Sequence, residues 1–250
     1  MSLNQSTIIL GATRGIGLAT AKELALSASD APLILVGRSQ KRLVEICKAL
    51  GTKSKRKFVP LALDLMTEES EQKLLHFLQD QDFAFPCHWI FNVGGYPGGK
   101  VYKEPYERFE WPQIKELIDF NLLLPMKVTH TILPELLREA VQNESISNLI
   151  YMSSQAGFFA RPGLTAYAAA KSGLNNFVRS LKGELSETGI KATVIAPGLV
   201  DTPLIPEDPK FVREKMIRPE DVARAVSYVL ESQAATAPSE IHLTCSQSVF

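Results

Sequence analysis

The chain of 250 residues has little of what marks a membrane, metal or nucleic-acid protein. Its three cysteines, Cys47, Cys87 and Cys245, are odd in number and form no C-x-x-C pair, so a disulfide framework is not expected and a reducing, cytoplasmic setting is. The four histidines, His76, His88, His130 and His242, are scattered without ligand spacing, and no metal site is expected. Excess charge of one sign is missing too: Lys plus Arg number 27 and Asp plus Glu 27, leaving no overall field to attract nucleic acid or an anionic bilayer. The one strong basic run, Lys53-Ser54-Lys55-Arg56-Lys57, reads as a solvated loop, so no nucleic-acid partner is expected. No stretch approaches the roughly 18 uninterrupted apolar residues of a membrane helix. The polar Asn4, Gln5 and Ser6 lead into Thr7 to Leu10 without the basic and long apolar regions of a secretory signal. Linkers rich in Gly, Pro or Ser, repeats and low-complexity tracts are also missing, which favours a single domain over residues 1–250.

What is present is alternation. Short apolar runs at Ser6 to Leu10, Pro32 to Gly37, Phe58 to Leu63, His88 to Asn92, Ser147 to Met152, Lys191 to Ala196 and Glu240 to Thr244 read as strands. Between them, Ile16 to Ser27, Lys41 to Leu50, Glu69 to Phe77, Ile114 to Leu137 and Ala168 to Leu185 carry the helical period. Nearly continuous apolar strands are those covered on both faces, and parallel neighbours need crossovers. The fold class is therefore α/β, a Rossmann-like doubly wound fold with a seven-stranded parallel sheet and helices on both faces. The proline-spaced stretch from Pro197 to Pro219 is read as an irregular binding loop.

Directly after the first strand, Gly11-Ala12-Thr13-Arg14-Gly15-Ile16-Gly17 opens a helix. A phosphate needs a tight turn free of Cβ atoms followed by the free N–H groups of a helix start. The second strand ends Val36-Gly37-Arg38-Ser39. No Asp or Glu stands there to accept from a ribose 2′-hydroxyl, whereas Arg38, Ser39 and Arg14 suit a 2′-phosphate, so NADP(H) is favoured over NAD(H).

Tyr167 and Lys171 lie four apart on one helical face, after a strand that ends Met152-Ser153-Ser154. Tyr96 and Lys100 share the spacing, but Pro97-Gly98-Gly99 between them will not hold a helix.

Together these residues resemble the classical short-chain dehydrogenase/reductase family over nearly the whole chain. The matching positions are Gly11, Gly15 and Gly17; Asp64-Leu65; Asn92-Val93-Gly94; Asn121; Ser154; Tyr167 with Lys171; and Pro197-Gly198 with Thr202. Leu10 and Val93 depart from the usual Thr and Ala. The resemblance implies a catalytic set of Asn121, Ser154, Tyr167 and Lys171, with the serine thirteen residues before the tyrosine. It implies that Asp64 and Leu65 contact adenine, that Asn92 and Gly94 lie beside the ribose and nicotinamide, and that Pro197, Gly198, Val200 and Thr202 hold the carboxamide. With Thr13, Arg14, Ile16, Arg38 and Ser39, these make up the expected cofactor site.

In such an enzyme Tyr167 acts as the acid, Lys171 lowers its pKa, Ser154 hydrogen-bonds the substrate oxygen and Asn121 binds a relay water. The expected activity is NADP(H)-dependent interconversion of a ketone or aldehyde with an alcohol. Alternatives are a 3-oxoacyl-carrier-protein reductase, a sepiapterin-reductase-like enzyme or a noncatalytic NADP(H)-binding sensor. Tyr96, Phe158, Phe159, Leu199, Ile205, Phe211 and Met216 could line the pocket, favouring a small apolar carbonyl or alcohol as substrate. A homodimer or homotetramer is implied, built through the long helix ending near Leu137 and the helix after Tyr167, whose Ala168, Ala169, Ser172 and Gly173 permit close packing.

Overall fold

The computed structural model describes residues 5–247 except 86, 97–104, 144, 160 and 210. Lys100 and the Pro97-Gly98-Gly99 segment lie outside the described residues. Seven parallel strands form one sheet: β1 (Thr7–Leu10), β2 (Leu33–Gly37), β3 (Phe58–Ala62), β4 (His88–Phe91), β5 (Ser147–Met152), β6 (Ile190–Pro197) and β7 (Glu240–Leu243). Their order is β3-β2-β1-β4-β5-β6-β7. Seven α-helices connect them: α1 (Gly15–Ala25), α2 (Gln40–Gly51), α3 (Ser70–Gln79), α4 (Trp111–Ile118), α5 (Leu124–Asn143), α6 (Thr165–Glu184) and α7 (Pro219–Glu231).

Strand alternation assigns each helix to a face. Ile8 and Leu10 of β1 join Leu74 of α3, Val128 of α5 and Leu174 of α6 in one core. Ile9 points the other way, to Leu24 of α1, Leu43 of α2 and Val226 of α7. Both faces of the central strands are thus buried, which is why their apolar runs lack a polar alternation. Pro60 sits in the edge strand β3, where a missing ladder donor is tolerated.

Two expectations need correction. The single helix expected over Ile114 to Leu137 is α4 and α5 joined by a π-helical turn at Asp119–Leu123. The wide turn keeps the chain helical while bringing the buried Asn121 side chain to the loop at Gly95. The stretch from Pro197 to Pro219 is irregular as expected in its described residues, apart from a short 3-10 turn at Arg213–Lys215, and ends where α7 starts with Pro219 followed by Glu220 and Asp221 in the first turn.

The second correction concerns the basic run. Lys53 and Lys55 are exposed, but Arg56 is only 4% exposed. Its Nε donates to the Ala31 carbonyl at 2.8 Å, and its Nη1 to the Leu24 carbonyl and the Ser27 hydroxyl, each at 3.1 Å. It therefore ties the end of α1 to the entrance of β2. Removing it strands two carbonyls, so Arg56→Ala should lower the unfolding free energy by about 1–3 kcal/mol in urea denaturation; a loss below about 0.5 kcal/mol would contradict the assignment.

Candidate active site

At the carboxyl ends of the strands the chain turns from β1 toward β2 on one side and from β4 toward β5 on the other, and ligands of open α/β sheets bind in the crevice this creates. A cavity of about 570 Å³ opens there. The glycine turn forms one wall. Asn92 Nδ2 donates to the Gly11 carbonyl at 2.9 Å, and α1 starts directly behind it. No side chain caps that helix start and no acid lies in its first turn, so its positive end is left for an anion. Gly17 is behind this wall rather than on it: a Cβ there would lie 2.1 Å from the Gly11 carbonyl oxygen. Its place in the pattern reflects packing, whereas Gly11, Thr13, Arg14, Gly15 and Ile16 line the cavity.

At the far end Arg38 and Arg14 line the cavity together with Asp64 and Leu65. A Cβ on Gly37 would meet the Thr13 methyl at 2.6 Å, so a carboxylate-bearing side chain has no room at the end of β2. Ser39 does not line the cavity. Its hydroxyl accepts from the Arg42 N–H at 3.3 Å and caps α2.

The opposite end gathers Ser154, just after β5, with Tyr167 and Lys171 of α6. The neighbouring Ser153 hydroxyl is committed to Asn175 at 2.5 Å, whereas the Ser154 hydroxyl accepts from the Ala156 N–H at 3.2 Å and lies beside the Tyr167 phenol. The Tyr167 ring stacks on Tyr96 with centroids 4.9 Å apart. Lys171 is 2% exposed and donates from Nζ to the Met152 carbonyl at 2.9 Å. A Cβ on Gly94 would stand 2.8 Å from this Nζ and 3.0 Å from Asn121 Oδ1, so only glycine leaves room for both.

Burial sets the titration of both reactive side chains. Burial pushes Tyr167 up to about 12, with the Ser154 hydrogen bond acting in the opposite sense. Burial also lowers Lys171 to about 7, so it is only partly charged at neutral pH. Its Nζ stands 5.8 Å from the tyrosine ring centroid.

Asn121 does not line the cavity. It is fully buried, its Oδ1 accepting from the Gly95 N–H at 2.7 Å and its Nδ2 donating to the Gly95 carbonyl at 2.7 Å and the Leu117 carbonyl at 2.9 Å. The side chain clamps the loop after β4. Asn92, Gly94, Pro197, Gly198, Val200 and Thr202 all line the cavity. Of the apolar candidates, Tyr96, Leu199, Ile205 and Phe211 do as well. Phe158 packs instead against His242 and Arg179, Phe159 is largely exposed, and Met216 is buried beside Ile205. Sequence reasoning missed Phe120, in the π-helical turn, and Arg161, Leu164 and Leu204, which lie on turns or loops without a periodic signal.

A family model described as short chain dehydrogenase matches residues 5–211. A Staphylococcus epidermidis protein described as an uncharacterized oxidoreductase is 30% identical over 236 residues, covering 94% of this chain and 93% of its own length. A similarly described Staphylococcus saprophyticus protein is 26% identical over 234 residues, 94% of each chain. Among solved structures, the closed form of serine dehydrogenase complexed with NADP+ superposes with a TM-score of 0.80 at 23% identity, covering 95% of this chain and 94% of that one. An alcohol dehydrogenase of the archaeon Thermococcus sibiricus complexed with 5-hydroxy-NADP gives 0.79 at 24% identity, covering 98% and 97%. The solved structures share the fold, and the family match together with the relatives makes this an oxidoreductase: the chain belongs to the short chain dehydrogenase family.

Proposed function

We propose that the chain interconverts a carbonyl and an alcohol with NADP(H), Tyr167 handling the proton. The observation that carries this reading is the single cavity that gathers Ser154, Tyr167 and Lys171 at one end and Arg14 and Arg38 at the other. The residues fit a dinucleotide: an uncapped helix start behind a glycine turn suits a pyrophosphate, and two arginines beside a glycine with no room for a carboxylate suit a 2′-phosphate. Asp64, Leu65, Asn92, Gly94 and the run from Pro197 to Thr202 would hold the remaining parts. The bound nicotinamide supplies or accepts the hydride.

The side chains do the rest. The Tyr167 phenol, raised by burial, remains protonated throughout the neutral range and suits donation to a developing alkoxide. Ser154, beside that phenol on the cavity wall, is placed to share the substrate oxygen and stabilise its charge. Lys171, held by the Met152 carbonyl, would position the cofactor ribose and add positive charge when protonated. Asn121 would act by fixing the loop at Gly95 beside Lys171 rather than by touching the reactants. Tyr96, Phe120, Leu164 and Leu204 form an apolar wall for the substrate's carbon skeleton. A homodimer or homotetramer remains part of the proposal, although Ser172 and Gly173 of α6 have duties within the chain, bonding the Gly157 carbonyl and packing on Leu122.

Tyr167→Phe should abolish NADPH oxidation with ketones while leaving the NADPH dissociation constant within about threefold; retained turnover would refute the role of the phenol. Arg38→Asp should lower kcat/KM with NADPH by at least about tenfold relative to NADH, since it replaces a phosphate partner by a repelling charge, and an unchanged ratio would remove the 2′-phosphate assignment. The acid form of Tyr167 is present below its raised pKa and the base form grows only as pH approaches it. Carbonyl reduction should therefore not gain from alkali, whereas alcohol oxidation should climb from pH 7 to 10; the reverse pattern would contradict the assignment.

A further inference from the structure

Six other arginines are occupied. Arg42, Arg138, Arg179, Arg213 and Arg224 pair with Glu45, Glu135, Glu240, Asp201 and Asp221, and Arg56 is bonded to carbonyls. The three that line the cavity, Arg14, Arg38 and Arg161, have no carboxylate partner among the described residues. Two of these belong to the proposed 2′-phosphate site. Arg161 is exposed and lines the same cavity from the turn that leads to Leu164 and α6, the helix of Tyr167, and the proposed cofactor contacts do not use it.

Its placement is built into the backbone. Arg161-Pro162-Gly163-Leu164 forms a turn closed by the Leu164 N–H donating to the Arg161 carbonyl at 3.1 Å, with Gly163 at φ 80°. Proline followed by a glycine at positive φ is the pattern of a type II turn, which leaves little backbone freedom. The turn runs straight into α6, two residues before Tyr167. Among the described residues the only carboxylate lining the cavity is Asp64, at the far end, and the first turn of α6 contains no acid. The reactive end therefore joins an apolar wall to one unpaired guanidinium.

We propose that the substrate is an oxo acid or hydroxy acid, an apolar skeleton bearing a carboxylate that pairs with Arg161 while its carbonyl or alcohol meets Tyr167 and Ser154. This rests on the proposed carbonyl chemistry and narrows its substrate class. Guanidinium and carboxylate match in a planar two-bond geometry, and a site built around such a charge discriminates against the neutral analogue that leaves it unpaired.

The test compares 4-acetylbenzoate and 4-oxopentanoate with their methyl esters, using NADPH and the full chain. The acids should be reduced with kcat/KM at least tenfold above the esters. Arg161→Ala should cut the acid values at least tenfold more than the ester values, with Arg161→Lys recovering part of the difference. Esters equal to or better than acids, or equal losses for both, would overturn the proposal. Binding separates it from the chemistry: 4-acetylbenzoate and its methyl ester are titrated calorimetrically into NADPH-loaded Tyr167→Phe protein, with and without Arg161→Ala. Tenfold weaker binding of the acid alone on loss of Arg161 supports the anion site even if no carbonyl is turned over. Equal binding of acid and ester, or no effect of Arg161→Ala, overturns it even if ketones are reduced.

Discussion

The hydrogen bond from Asn92 to the Gly11 carbonyl joins the two loops on which the cavity depends. One follows β1 and the other β4, and their strands are neighbours in the sheet. The bond holds the glycine turn against the loop that carries Gly94, and the space left by Gly17 lets α1 begin immediately behind it. An alanine at position 17 would press on both the Gly11 carbonyl and the Asn92 amide. The glycine turn at one end and the position of Gly94 at the other are thus held by one contact. Gly94 in turn fits between Lys171 and Asn121, which extends the constraint to the reactive end.

A second constraint follows from burial. Lys171 has lost nearly all contact with water and has a backbone carbonyl to donate to, while Tyr167 is raised rather than lowered. Protein atoms alone therefore favour a neutral phenol and a partly neutral amine. In the proposed mechanism this arrangement suits the direction in which the phenol gives up a proton. The reverse direction needs more positive charge near the phenol, which oxidised nicotinamide would bring.

Much of this was legible in the sequence where the physical signal is local. Continuous apolar runs located all seven strands to within one or two residues, because strands buried on both faces tolerate few polar residues. The glycine turn and the Tyr167–Lys171 face were legible for the same reason, since each is a short-range geometry. What could not be read depends on long-range contacts. The break at Asn121 disrupts no hydrophobic period, and its cause is a loop 26 residues away. Arg56 sits in a basic run but bonds to carbonyls 25 and 32 residues earlier. Ser39 follows the strand end where a phosphate contact is expected, yet its hydroxyl serves the next helix. Arg161 lies in a turn whose proximity to Tyr167 emerges only once α6 is placed.

The central claim is that one cavity holds a 2′-phosphorylated dinucleotide stretched from Arg38 to Tyr167. A crystal structure of the chain with NADPH tests it most directly. The account predicts the 2′-phosphate between Arg14 and Arg38, the pyrophosphate at the start of α1 and the nicotinamide beside Tyr167. A cofactor bound with its phosphate away from both arginines, or with its nicotinamide remote from Tyr167, would contradict it.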